Sequence, residues 1–544
     1  MSRNPSLSRV LTTAGLGVAL TLVGAQAACV ADTSSSQEDA LTSLTARERT
    51  MTFEGYVYVH PDASADEIRE AVLGQTRSAF GALRTQDVAV GSRELANVDE
   101  STFIREPLRA VDADTGDEYE TLRVRYLYSD RAVVPNSMSR RSALSLGLLH
   151  GDYATQAKRI LQECTENTAD DREMESDIWY VFNPALPSCK SAMAAEQRLI
   201  DDRRSKLLDD DEQIVLEELD RLYIPMTARL AAVEGSRSAV YPEYDRLWRG
   251  GIEPGVLTVG LINGMIDHAE PGKTHHPVDD AGYWEMLAEM EAILEARPGL
   301  RVVATDPPSD LSTFTVDGER ITGLTFQDFI NWELYEWGFP TWLSSTQQTA
   351  LRKLVAERLY RRWVTFEEQV SVAIGDEGPR TVKIRINQYF GAEEDLGPYQ
   401  RAIRSSDVFL YNGHSYIGEG PLDPANYQDA DFPETYQLLF IDSCLSFNYY
   451  NSDYFAYKGR GSLDLDIITN GLESFADGAG AGQGRFVAAL LSGEQPSYQQ
   501  LLERASTTGT GYAWGLDALR VVDGELDNEY SPARTPISVG SPEL

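Results

Sequence analysis

Three short runs of this chain are apolar almost without interruption: Val256 to Ile262, Val408-Phe409-Leu410-Tyr411 and Leu438-Leu439-Phe440-Ile441. A strand with one face in water alternates polar with apolar residues. A run without alternation is what a parallel strand shows when helices cover both its faces. These runs therefore call for an α/β domain built on an open, mostly parallel sheet. After the first run, Trp284, Leu287, Met290 and Leu294 share one helical face, and Pro298-Gly299 stops the helix. Leu300 to Ala304 then supplies the next strand, so the order strand, helix, strand predicts a parallel crossover. Further helices are expected over 325–337 and 345–363, with strands over 370–374 and 382–389.

The second and third runs end in reactive side chains. One leads into Asn412-Gly413-His414-Ser415, the other into Asp442-Ser443-Cys444. In open α/β sheets functional groups collect beyond the carboxyl ends of the parallel strands, so neighbouring strands would bring this imidazole and this thiol together. A thiol with an ordinary pKa of about 8.5 is little ionised at neutral pH and needs a base beside it to act as a nucleophile. Cys444 with His414 therefore points to acyl transfer. The main-chain N–H groups of Ser415 and Cys444 are the expected oxyanion donors.

The cysteine count supports this assignment. Of four cysteines, Cys29 lies at a processing site, and Cys164 and Cys189 are close enough in sequence to form a disulfide. Cys444 is left as a lone thiol, which calls for burial or a function.

Tyr411-Asn412-Gly413-His414 and Phe440-Ile441-Asp442-Ser443-Cys444 resemble the paired motifs of caspases, metacaspases, gingipains and clostripain, the caspase-like cysteine peptidases, over roughly residues 250 to 510. The sequence departs from that pattern at Ser415, where the family has Gly, and at Phe447. The resemblance implies a caspase-like three-layer sandwich in the C-terminal half and a peptidase without a cofactor, acting on a protein or peptide. It also implies that Asp442 sits in the pocket for a substrate Arg or Lys. Asp464 and Asp466 are alternative pocket acids, read more simply as a solvated turn.

The N-terminus reads as an address. Arg3 and Arg9 precede an apolar run from Val10 to Val23 and small residues to Ala28, a signal peptide over 1–28. Ala25-Gln26-Ala27 suits ordinary cleavage, whereas Ala27-Ala28-Cys29 resembles the end of a lipobox. The mature chain is thus expected outside the cytoplasm, either secreted or held at the cell envelope by a lipid anchor at Cys29, its only expected membrane contact. A tether over 29–49, a small α+β domain over 50–135, a mainly helical segment over 136–250 and the catalytic domain over 251–544 complete the expected organisation. The first two folded segments hold no nucleophile with a base, and a restraining pro-domain is the expected role of residues 30–250. A formal charge of −37 repels phosphate and so argues against nucleic acid as a partner; it attracts cationic ligands or basic peptide segments, although solubility alone is its simpler reading.

Two glycine motifs carry no nucleotide chemistry. Gly478 to Gly484 lacks the Lys-Ser/Thr ending of a phosphate loop and reads as a flexible loop before a helix over 485–491. Pro271-Gly272-Lys273-Thr274 has Asp267 where such a loop needs its first Gly. His268, His275, His276, Asp279 and Asp280 supply enough imidazole and carboxylate for a transition metal, but at irregular spacing. Three readings stay open: a cysteine endopeptidase, an inactive envelope lipoprotein of the same fold that binds or scaffolds, and a metal-dependent hydrolase at the His268/His275/His276 loop.

Overall fold

The computed structural model describes residues 41–541 except 151–152, 208–209, 211, 234–238, 268–273, 451, 476–477 and 507–517. The expected signal peptide, Cys29, most of the tether and His268 lie outside the described residues.

Ten strands form the central sheet: Thr42–Ser43, β7 (Val256–Gly264), β8 (Arg301–Asp306), β9 (Trp363–Ile374), β10 (Arg380–Gly391), β11 (Val408–Asn412), β12 (Gln437–Asp442), β13 (Leu465–Thr469), β14 (Val521–Asp523) and β15 (Ile537–Gly540). In space they run Thr42–Ser43, β14, β13, β12, β11, β7, β10, β9, β8, with β15 also paired to β9. The five in the middle, β10, β7, β11, β12 and β13, are mutually parallel, and the outer pairings are antiparallel. The chain crosses from β10 over β7 to β11, so the strand order reverses between β7 and β11. That is the switch point beyond which open α/β sheets bind ligands.

Both faces of the parallel strands are buried, as their lack of alternation requires. On one face Leu257, Val259, Leu261, Val408, Leu410, Leu438 and Phe440 share a core with Met286, Leu287, Met290, Phe486 and Leu490. Those five come from α5 (Ala281–Ala296) and α9 (Ala479–Leu490). On the other face Phe409, Tyr411, Leu439 and Ile441 join Tyr399, Ala402 and Ile403 of α8 (Gly397–Ser405) and residues of the N-terminal half. The helices expected further on are α6 (Phe326–Leu334) and α7 (Ser345–Leu359), each opened by a capping box. The expected crossover differs in one respect: β8 points the same way as β7 but lies at the sheet edge, paired antiparallel to β9.

The N-terminal half builds a seven-stranded sheet, led by β1 (Ala46–Val59), β2 (Ile104–Val111) and β3 (Glu118–Pro135), with α1 (Ala65–Arg77) and α2 (Ala79–Arg84) in its core. β1 and β3 pair along their length, from Ala46 opposite Pro135 to Val59 opposite Leu122. The segment expected to be mainly helical holds α3 (Ala157–Cys164) and α4 (Pro187–Arg204), but it also contributes β4 (Ala143–Leu149), β5 (Gln213–Val215) and β6 (Tyr223–Ala232) to this sheet. The helical spacing of Leu216, Leu219, Leu222 and Tyr223 falls on a short turn and the start of β6. Leu222 and Tyr223 are buried there because they pack on the Cys164–Cys189 disulfide and Ile178. Tertiary packing overrides the local periodicity.

The two halves are not separable layers. Thr42–Ser43, at the end of the expected tether, forms the outermost strand of the C-terminal sheet beside Val521 and Val522. Arg131 of β3 reaches Asp523 and Glu48, Arg93 pairs with Asp423, and the Asn448 amide donates to the carbonyls of Val90 and Ser92. Residues 41–250 therefore share a core with the C-terminal half. No helix among the described residues is long and apolar enough to cross a membrane.

The disulfide closes a loop in a small satellite core. Replacing both Cys164 and Cys189 with Ala should lower unfolding free energy by about 3 kcal/mol, read from the urea midpoint. A loss below about 1 kcal/mol would show that the cross-link does not constrain the unfolded chain.

Candidate active site

β7, β11, β12 and β13 end at one level. Asn263 lies opposite Asn412, Asn412 opposite Asp442, and Ile441 opposite Thr469, which brings Asn470 beside Asp442. The result is a row of four polar residues, all buried, across four neighbouring strands. Its hydrogen bonds are nearly closed: the Asn263 amide donates to Glu289 at 2.8 Å, that of Asn470 to Asp442 at 2.6 Å, and the Asn412 amide faces Asn263 at 3.5 Å. Arg520 donates to Asp442 at 2.8 Å and to Asn470 at 3.0 Å, and its guanidinium stacks on Phe440.

Two residues beyond this row stand His414 and Cys444, at corresponding positions past neighbouring parallel strands. Of residues 436–450, Cys444 alone is not fully buried. His414 is also half-buried, between the buried Gly413 and Ser415. His414 Nε2 lies 2.9 Å from the carbonyl of Ile266, just past β7. A carbonyl only accepts, so Nε2 carries the proton, and the neutral ring holds its lone pair on Nδ1. The Cys444 thiol donates to the Ser474 carbonyl at 3.6 Å, and burial pushes it above its usual range. At rest the sulfur is protonated.

The turns that carry both side chains are strained. Tyr416 and Ile417, directly after His414 and Ser415, have φ of 49° and 56°, and Leu445, directly after Cys444, has φ of 54°. Each is a non-glycine residue in the left-handed region, at a cost on the order of 1–3 kcal/mol. Such strain persists only where the surroundings over-determine it, and here it falls at both reactive positions. Gly413 is required for a different reason: a Cβ there would lie 2.3 Å from both Glu393 Oε1 and the Tyr411 hydroxyl. Glu393 Oε1 accepts the His414 main-chain N–H at 2.9 Å and the Tyr411 hydroxyl. Burial raises the Glu393 carboxyl above its usual range. Among the described residues, no acceptor binds the main-chain N–H of Ser415 or Cys444.

Asp442, expected at the floor of a pocket for a substrate Arg or Lys, is instead 3% exposed and already engaged by Arg520 and Asn470. It has no free charge to offer. Asp464 and Asp466 are neither pocket acids nor a solvated turn. Asp464 is buried under Arg246 and Arg460, and Asp466 accepts from Tyr436, Tyr498 and Asn528. The exposed acid beside the thiol is Glu473, which pairs with Arg84 of the N-terminal half. Tyr180, from the disulfide-closed loop, lies close enough that both Glu473 and Cys444 act on its titration.

The remaining motifs resolve into packing. Gly478 to Gly484 belongs to α9 and its N-terminus, and Glu285 already takes the N–H groups of Gly478 and Gly480. Side chains at Gly480 and Gly484 would strike the α5 backbone, at 2.1 and 2.3 Å. The run is thus a helix-packing seam rather than a flexible loop. In the metal-candidate loop, ligand atoms of Asp267, His275 and Asp280 lie within 4.8 Å of one another. Both oxygens of Asp280 are already filled by main-chain N–H groups, and the group does not include His276. Comparison with protein families, curated proteins and solved structures finds no match to this chain.

Two outcomes test this buried framework. Arg520→Ala should destabilise the fold by about 3–5 kcal/mol by leaving Asp442 buried and unpaired. Removing both charges, with Arg520→Met and Asp442→Asn together, should recover much of that loss in urea titrations. Burial also pushes Glu289 up to about 8, against the Asn263 amide. A carboxyl raised above its unfolded value stabilises most below that value, so stability should fall as pH rises from about 4.5 toward 8. Glu289→Gln should flatten that slope in thermal melts, and an unchanged slope would assign it to other groups.

Proposed function

We propose that this chain is an exported cysteine endopeptidase of the caspase-like kind, with Cys444 as nucleophile and His414 as its base. The observation that carries the reading is positional. Cys444 is the one residue not fully buried in an otherwise buried segment, two residues past β12, and it corresponds to the half-buried His414 two residues past parallel β11. Strained turns follow both.

The chemistry follows from the groups present. His414 Nδ1 takes the proton from the Cys444 thiol as sulfur attacks the peptide carbonyl carbon, and the C=O pair moves onto oxygen. The main-chain N–H groups of Cys444 and Ser415 are the donors available to that oxyanion. When the tetrahedral intermediate collapses, the C–N bond breaks and the imidazolium returns its proton to the leaving amine. Water, deprotonated by the same imidazole, then splits the thioester and regenerates the thiol. The Ile266 carbonyl keeps the ring in the tautomer this sequence needs throughout. The raised thiol favours proton transfer concerted with attack over a standing ion pair.

The reading does not rest on an Asp442 pocket. A second reading, an inactive scaffold of the same fold, is favoured by the bond of the thiol to the Ser474 carbonyl and by Ser415 in place of Gly. The two differ in thiol chemistry. Cys444→Ala and His414→Ala should each reduce cleavage of casein or a mixed peptide library by at least about 10³-fold. If both variants cleave like the native chain, or if no cleavage occurs and the native thiol resists alkylation until denatured, the peptidase reading fails.

A further inference from the structure

α5 begins at a carboxylate that does more than cap it. Asp280 is fully buried. Its Oδ1 accepts the N–H of Gly282 at 2.8 Å, which is the cap, and also the N–H of Ile266 at 3.0 Å. Its Oδ2 accepts the N–H of Asp267 at 3.2 Å and lies 2.8 Å from His275 Nε2, which donates to it. Four donors saturate the carboxylate. The turn leaving β7 is thus gripped on its N–H side by Asp280, while its Ile266 carbonyl points at His414 Nε2. A peptide unit is planar and rigid, so fixing the main chain around Ile266 fixes the direction of that carbonyl. The packing is tight as well: a side chain at Gly282 would meet the Gly264 carbonyl at 2.0 Å.

We infer that Asp280, braced by His275, is a positioning residue for the His414/Cys444 pair, acting through the Ile266 peptide to orient the His414 imidazole. This rests on the dyad reading but goes beyond it, because it assigns a role to a buried acid that touches neither reactive side chain. A helix cap alone needs only the Gly282 contact. Bonds to two turn amides and a second histidine are what orientation of the turn requires. Misorienting a base by a fraction of an ångström is enough to slow proton transfer by about tenfold or more.

Iodoacetamide alkylation of Cys444, followed at the Cys444 peptide by mass spectrometry across pH 5 to 9, tests this on the full chain without a substrate. His414→Ala is the reference, and its profile should lose the histidine-dependent limb. Asp280→Asn keeps one accepting oxygen for the cap and the Ile266 N–H but sets an amide against Asp267 and His275. Asp280→Ser keeps the cap alone. Both should slow alkylation near neutrality by about tenfold and move the profile toward that of His414→Ala, in chains that circular dichroism and a cooperative melt show to be folded at the assay temperature. His275→Ala should shift it less. Profiles of both Asp280 variants that superimpose on the native one, while His414→Ala differs, would overturn the positioning role and leave the dyad standing. A His414→Ala profile identical to the native one would remove the dyad, and this inference with it.

Discussion

One register governs the C-terminal half: β11 pairs with β12 so that Asn412 faces Asp442. A shift by one residue would exchange the two faces of each strand and put Asn412 and Asp442 into the apolar core. Phe409, Tyr411, Leu439 and Ile441 on one side, and Val408, Leu410, Leu438 and Phe440 on the other, hold that register because both sets are buried. It follows that His414 and Cys444 emerge at matched positions on the lip of the sheet. It also follows that the polar row beneath them meets Arg520 and Glu289 rather than hydrocarbon.

Buried polar groups stabilise a structure only when every partner is in place, and this row concentrates the requirement. Asp442 depends on Arg520 from the start of β14, and Asn263 depends on Glu289 from α5. β14 in turn is closed on its outer side by Thr42–Ser43, and Asp523 at its end is held by Arg131 of the N-terminal sheet. The N-terminal half is therefore linked to the site through the last strands of the sheet. It also reaches the site directly, where Arg84 meets Glu473 beside the thiol. Residues that hold no chemistry of their own thus border Cys444.

Much of the site was legible because its signals are local. Apolar runs without alternation mark strands buried on both faces, and residues that end such runs lie at the functional edge of an open sheet. His414 and Cys444 were singled out that way. The Ile266 carbonyl, the hydrogen bonds of Asp280 to the turn and the Glu393 carboxylate were not, because a main-chain carbonyl has no sequence signature, Asp280 reads there only as part of an irregular metal-candidate cluster, and a lone acid such as Glu393 resembles any solvated charge. The Asp442 pocket was misread for a related reason. Nothing near Asp442 in sequence announces that Arg520, far along the chain, neutralises it. The helical spacing of residues 216–223 does not give a helix because spacing reports which residues are buried, and burial there comes from two separate cores, Leu216 and Leu219 packing beside Leu108, Ala110 and Ile214, and Leu222 and Tyr223 beside the disulfide.

By itself the sequence determined the kind of sheet, its parallel centre, the place of His414 and Cys444 at its carboxyl edge and the pairing of Cys164 with Cys189. Each follows from near-neighbour chemistry: the period of apolar residues, the stop signals that end helices and strands, and the count of thiols. Only the tertiary structure decided which acids are free and which are spent, which face each glycine needs for close packing, and that residues 41–250 are part of the same core. Those facts depend on contacts between residues hundreds of positions apart. A chain expresses such contacts only when the sheet brings its strands into register.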